Sequence, residues 1–77
     1  MEQQIKLMLG IWELKETYIK LKTLDFSNDI LQDINNSIDD LMGLVEKEEI
    51  RGFLLSNDIS YNADLDKYYV SERAIRF

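Results

Sequence analysis

The segment NDISYNADLD, residues 57–66, is the part of this sequence whose carboxylates and amides come closest to the spacing of a calcium site. A calcium-binding loop of the EF-hand type needs a glycine at its sixth position and a bidentate glutamate at its twelfth. A loop that starts at Asp58 has Ala63 and Tyr69 at these places, and starts at Asn62 or Asp64 fail there too. The segment is therefore interpreted as a solvated, turn-rich loop, and no metal site is predicted.

Nucleophilic catalysis has no better support from the residue types. The sequence contains no histidine and no cysteine, so a serine nucleophile would depend on Lys, Asp or Glu as its base. Asp39 and Asp40 are neighbours in sequence, and on a helix their side chains diverge by about 100° instead of converging on a substrate. The three glycines are scattered and form no phosphate-binding loop. We therefore predict that the protein is not an enzyme and uses no cofactor.

The charge of −6 is concentrated in the middle of the chain. Residues 24–49 carry eight carboxylates and one lysine, whereas residues 1–23 carry four lysines and three glutamates, and residues 50–77 are balanced. The absence of cysteine fits a reducing compartment. Glu2 stands where a signal peptide needs positive charge, and no apolar run is long enough to span a bilayer. We expect a cytoplasmic protein with one small domain, residues 1–77, that contacts no membrane.

The first helix is predicted over residues 2–23 from its apolar spacing. Apolar side chains follow one another at intervals of three and four, which is the pattern of an amphipathic helix: Leu7, Ile11, Leu14, Tyr18 and Leu21. Three more apolar residues, Met8, Trp12 and Ile19, lie one position further round the helix. They make the apolar arc wider than one partner helix needs, so we predict that they form the interface with a partner or a second copy.

A second helix is predicted from residue 28, with Ser27 as its N-cap. Its seam repeats the rhythm of the first helix through Leu31, Ile34, Ile38, Leu41 and Val45. Whether it runs to residue 48 or kinks at Asn35–Ser37 stays open, because Asn and Ser are poor helix formers and good caps. An acidic face lies opposite the seam. Its predicted members are Asp29, Asp33, Asp39 and Asp40.

The C-terminal third is predicted to form a β-hairpin. The apolar rhythm fails at Glu48 and Gly52, and the short apolar run IRGFLL, residues 50–55, is bounded by the turn residues SND. It could pair with the β-prone segment KYYVSER, residues 67–73. The predicted fold class is therefore α+β, with two long amphipathic helices packed together and a C-terminal hairpin. The alternative is an all-α three-helix arrangement, with a third helix over residues 46–56.

Residues 27–73 resemble the closing part of a winged-helix domain. The resemblance rests on a helix followed by LVEKEEIRGFLL, a polar loop and KYYVSER. Winged-helix families include DNA-binding regulators and also domains that only join proteins together. The resemblance implies that the last long helix would enter the DNA groove, yet here that helix carries many carboxylates and Lys47 alone to meet phosphates. Direct binding of nucleic acid is therefore not expected.

Three functional hypotheses follow from these features. The favoured one is a non-catalytic protein–protein interaction module, an adaptor or subunit domain that self-associates as a homodimer. The second is a small acidic inhibitor or anti-repressor, encoded by a phage or another mobile element, whose acidic face blocks a basic nucleic-acid-binding site on another protein. The third is a DNA-binding transcriptional regulator. The acidic face also has a simpler interpretation as the solvated back of an amphipathic helix.

Overall fold

Three helices followed by a two-stranded antiparallel sheet make up the computed structural model, which describes residues 2–74. The helices are α1 (Glu2–Thr23), α2 (Asn28–Met42) and α3 (Glu48–Ser56). The strands β1 (Ile59–Asn62) and β2 (Lys67–Val70) precede a short 3₁₀ turn at Glu72–Ala74. The predicted α+β class is confirmed.

The helix α1 has the predicted bounds, and its seam faces the core. Ile11 and Tyr18 are buried, and the other seam residues pack against the core cluster. After α1 the chain turns at Asp25, which has a left-handed φ of 61°. The N–H of Phe26 then donates to the carbonyl of Leu21 at 3.1 Å, a bond across the helix end that satisfies one of the last carbonyls.

The helix α2 begins after Ser27, as predicted, and passes through Asn35–Ser37 without a break. It ends at Met42, before the residue 48 that the longer alternative allowed. Gly43, Leu44 and Val45 close the helix with short turns, and Val45 is buried there. Gln4 of α1 fixes this connection, because its side chain accepts a hydrogen bond from the Glu46 N–H at 2.8 Å.

The predicted strand over residues 50–55 is wrong, since this segment belongs to α3. Ile50 and Leu54, one helical turn apart, are both buried in the core. Glu48 and Glu49 occupy the first turn of the helix, where carboxylates interact favourably with the helix dipole. The third helix that we considered as an alternative over residues 46–56 is therefore present, and it coexists with the hairpin. The winged-helix resemblance loses the strand on which it partly rested.

The hairpin uses a different first strand from the predicted one. β1 pairs with β2 in a register that sets Ile59 opposite Val70 and Tyr61 opposite Tyr68. Ile59 and Val70 are buried, so this face of the hairpin continues the core. The predicted second strand, residues 67–73, is correct in position but ends at Val70.

The core lies where α1, α2, α3 and the buried face of the hairpin meet. The side chains with the least exposure come from all five elements: Ile11, Ile38, Met42, Leu54, Ile59 and Val70. α1 packs mainly on α2, α2 packs on β2, and α3 fills the angle between α1 and β1. Among residues 2–74, no helix is both long enough and apolar enough to cross a membrane.

Candidate interaction surfaces

The predicted interface residues of α1 lie on the flank that α3 covers in part. Met8 and Ile19 are half-buried and pack against the core cluster. Trp12 is also half-buried, and its ring stacks on Phe53 of α3 with centroids 5.7 Å apart and planes inclined by 27°. Part of the apolar surplus on α1 is therefore matched within the chain, by a helix that the sequence had suggested only as an alternative.

Lys15 joins this cluster as a buried charge that the sequence analysis did not single out. Its side chain is only 3% exposed, and its ammonium lies 3.3 Å from the centroid of the Trp12 ring. The carboxylates of Glu16 and Asp58 lie 3.4 Å and 3.9 Å from the same nitrogen. Ring and carboxylates together compensate the loss of water around the ammonium. The sequence feature that could have indicated this buried charge is the position of Lys15 beside the apolar arc, three residues after Trp12.

An apolar stripe extends from this cluster along the N-terminal half of α1 and stays partly exposed. We define it as Ile5, Leu9, Trp12 and Phe53. The first three recur at intervals of four and three, so they share one face of α1. Ile5 and Leu9 are 43% and 51% exposed, and Phe53 is 43% exposed beside Trp12. The stripe lies further round α1 than Met8 and Ile19. Its exposed members on this helix, Ile5 and Leu9, lie in the N-terminal half.

The predicted acidic face divides into two kinds of residue. Asp29, Asp33 and Asp40 are exposed and, together with the exposed Asn36, they follow the outer side of α2 at intervals of four, three and four. Asp39 is half-buried and turns to the hairpin. The structure therefore does not bring all four predicted residues together on one surface.

Asp39 and Asn35 hold the hairpin against α2. The carboxylate of Asp39 accepts the N–H of Tyr68 at 2.9 Å, and the amide oxygen of Asn35 accepts the N–H of Val70 at 3.0 Å. These two N–H groups lie on the edge of β2 that does not face β1, and they alternate with the N–H groups that bond to β1. Two polar side chains, one turn apart on a helix, thus satisfy the free edge of a strand. Sequence reasoning had placed Asp39 on the acidic face and Asn35 at a possible kink.

Tyr61 and Asp66 form a second polar pair, at the far end of the hairpin. The Tyr61 hydroxyl donates to the Asp66 carboxylate, and Asp66 has a left-handed φ of 53° in the turn. This hydrogen bond is the main cause that raises the pKa of Tyr61 above its ordinary value of 10.0, because it favours the protonated phenol. The Tyr61 ring also contacts that of Tyr68, with centroids 5.0 Å apart.

The remaining chemistry-bearing side chains stay dispersed. Among the described residues, no three histidine, cysteine, aspartate or glutamate side chains are grouped so that they could hold a metal ion. The segment NDISYNADLD contains β1 and the hairpin turn, where the Asn62 side chain accepts the N–H groups of Asp64 and Leu65. The carboxylate and amide groups that suggested a calcium loop are therefore used in part to shape a turn.

This chain matches no protein-family model, no curated protein and no solved structure.

Proposed function

We propose that the protein is a non-catalytic interaction module that self-associates through the apolar stripe of α1 and α3. The observation that carries this proposal is the exposure of Ile5, Leu9 and Phe53 beside the half-buried Trp12. A continuous set of large apolar side chains on a small chain costs free energy in water, and covering it recovers that free energy.

The size of a stable interface favours the whole stripe over Trp12 alone. A specific interface covers about 800 Å² on each partner, whereas one aromatic side chain buries about 150–250 Å². Trp12 alone is therefore too small for an interface, and its exposed neighbours Ile5, Leu9 and Phe53 extend the apolar centre, which a polar rim would complete. α1 also carries charges of both signs, which permits a second copy to approach without the repulsion that the acidic side of α2 would produce.

The test is the assembly state of charged variants of the stripe. We expect Leu9→Glu and Trp12→Glu to shift a dimer to monomer in light scattering and sedimentation, because each places a carboxylate in the buried contact. Leu24→Glu is the matched control, since Leu24 is 62% exposed and directly follows α1, about 20 Å from the stripe along the helix axis. An unchanged assembly state in both stripe variants would remove the proposal.

A second candidate function rests on the exposed carboxylates of α2. Asp29, Asp33 and Asp40 could occupy a basic site on a nucleic-acid-binding protein, as the inhibitor hypothesis requires. They provide three charges over about 16 Å of helix, far fewer than duplex DNA carries over the same length. We therefore place this function second.

The inhibitor function predicts binding that depends steeply on salt. The protein would be used as bait in an extract of its own source cells, beside a variant with Asp33→Lys and Asp40→Lys. A basic partner should be retained by the wild-type bait at low salt and lost at high salt or with the variant. A partner that stays bound to the variant at high salt contradicts the inhibitor function.

A further inference from the structure

A cavity of about 180 Å³ lies between α2 and the end of the hairpin, away from the apolar stripe. One wall is polar and comes from α2, through Gln32, Asn35 and Asn36. The hairpin supplies Asn62 and Lys67, together with the apolar surfaces of Leu65, Tyr68 and Tyr69. The volume equals that of about six water molecules, so it suits one small molecule or one amino-acid residue.

Hydrogen bonds from backbone N–H groups fix which end of Asn35 and of Asn62 is available. The amide oxygen of Asn35 accepts from Val70, and that of Asn62 accepts from Asp64 and Leu65. The oxygen of Asn36 accepts from the Gln32 amide at 3.1 Å. In all three asparagines the oxygen is therefore engaged, and the N–H₂ group is the end without an acceptor within residues 2–74.

The cavity thus offers more donors than acceptors. The lining residues carry three amide N–H₂ groups that are unpaired within residues 2–74 and the Lys67 ammonium, whereas the Gln32 carbonyl is the side-chain amide oxygen left over. Lys67 forms no ion pair in the described part of the chain and is the single charged residue in the lining. A complementary ligand must bring acceptor oxygens and carry negative charge.

We propose that this cavity binds a carboxylate that carries one apolar substituent. A carboxylate presents two planar acceptor oxygens and one negative charge, which matches several amide donors and one ammonium. A phosphate group brings a charge of about −1.5 to −2 and would face the acidic chain with a single cation. Leu65, Tyr68 and Tyr69 supply the apolar part of the lining for the substituent.

Two kinds of ligand share this chemistry, a free organic acid and the C-terminal residue of a peptide. The probe is N-acetylleucine, which has a carboxylate beside one branched apolar side chain, followed by NMR of the backbone and side-chain amides. We expect shifts of the Asn35, Asn36 and Asn62 side-chain signals. N-acetylleucinamide, which has the same shape without the charge, should bind at least about 10-fold more weakly. An acetylated tripeptide ending in leucine separates the two sources, because a chain-end site binds it at least as well and a site for free acids rejects it.

Substitutions of lining residues test whether the NMR shifts arise from binding in the cavity. Lys67→Met should weaken binding of N-acetylleucine by about 10-fold, and Asn36→Ala by less, because each removes a donor to the carboxylate. Lys47→Met is the matched control, since it removes the same charge from an exposed residue outside the cavity. Equal shifts with acid and amide, shifts elsewhere on the protein, or wild-type affinity in both Lys67→Met and Asn36→Ala would overturn the proposal. The absence of shifts at about 10 mM, where a millimolar site is mostly occupied, would do so too.

Discussion

The contact between α1 and α3 and the contact between α2 and the hairpin each hold two elements together, but through different interactions. α3 lies on α1 through a stacked pair of aromatic rings, Trp12 and Phe53, and Lys15 of α1 is buried against the Trp12 ring. The hairpin lies on α2 through two hydrogen bonds from strand N–H groups to side-chain oxygens. The first contact depends on area and tolerates small shifts, whereas the second depends on direction and fixes the register of β2 against α2.

Because of this difference, the two contacts leave different kinds of surface free to bind other molecules. The apolar side chains of α1 continue past the part that α3 covers, so Ile5 and Leu9 remain exposed next to Trp12. The polar contact ends where its donors and acceptors are paired, and beside it three asparagines line a cavity. The two regions therefore offer surfaces of opposite character.

The largest expected effect concerns the core beneath α3. Leu54→Ala should lower the free energy of unfolding by about 2–5 kcal/mol, because Leu54 is fully buried and the truncation leaves a cavity. Leu55→Ala is the matched control, since Leu55 is 39% exposed and its truncation should lower the free energy of unfolding far less. Urea denaturation of both variants gives the comparison. Equal losses would mean that α3 does not pack through the Ile50–Leu54 side.

The next effect separates structural from solvated carboxylates on α2. Asp39→Ala should cost about 1–3 kcal/mol in urea denaturation, because the Tyr68 N–H loses its acceptor in a half-buried place. Asp39→Asn keeps an acceptor oxygen and should recover part of that loss. Asp33→Ala removes an exposed carboxylate and should change stability by less than about 0.5 kcal/mol. If Asp33→Ala were as costly as Asp39→Ala, the polar contact would not be the cause.

A smaller effect measures the aromatic pair on the other side of the molecule. A double-mutant cycle with Trp12→Leu and Phe53→Leu should give a coupling of about 0.5–1.5 kcal/mol, the usual range for stacked rings beyond their area. The measurement is made at a concentration where the protein is monomeric, so that association does not contribute. Additive losses would show that the rings do not interact in solution.

The smallest expected effect is the raised pKa of Tyr61, at the end of the hairpin. The Tyr61 phenol should ionise above pH 10, because its hydrogen bond to Asp66 favours the protonated form. The pKa is raised in the folded state, so this contribution to stability is complete below the unfolded value and is lost as the pH rises through the folded value. Phenolate absorbance should show Tyr61 ionising at lower pH in Asp66→Asn, with Asp64→Asn as the control.

The helices were largely predictable from the sequence, because their evidence is repetitive. The seam of α1 recurs five times within residues 7–21, and its predicted bounds are those observed. The end of α2 was not predictable from periodicity, since the buried Val45 continues the spacing although the helix has already closed at Met42. α3 was misread as a strand because IRGFLL is a short apolar run bounded by turn residues, and periodicity alone does not distinguish such a run from a segment of a buried helix.

The surfaces were less predictable than the helices. β1 has four residues inside a polar segment, and only the alternation of Ile59 and Tyr61 marks it. Helical spacing places the predicted interface residues on one flank of α1, but the contact of Trp12 with Phe53 follows from the placement of α3. The roles of Asn35 and Asp39 depend on a strand edge that is far away in sequence, and no local pattern reports such a contact.

The three sharp bends of the backbone have a consequence for the electric field of the molecule. Asp25, Asp58 and Asp66 are the non-glycine residues with positive φ among those described. Asparagine adopts this conformation as readily as aspartate, so the backbone alone does not require a carboxylate at any of the bends. Their three negative charges equal half of the net charge of −6, and they stand at the corners of the fold. The negative potential that an approaching molecule meets is therefore set by the corners of the chain as well as by its acidic helix.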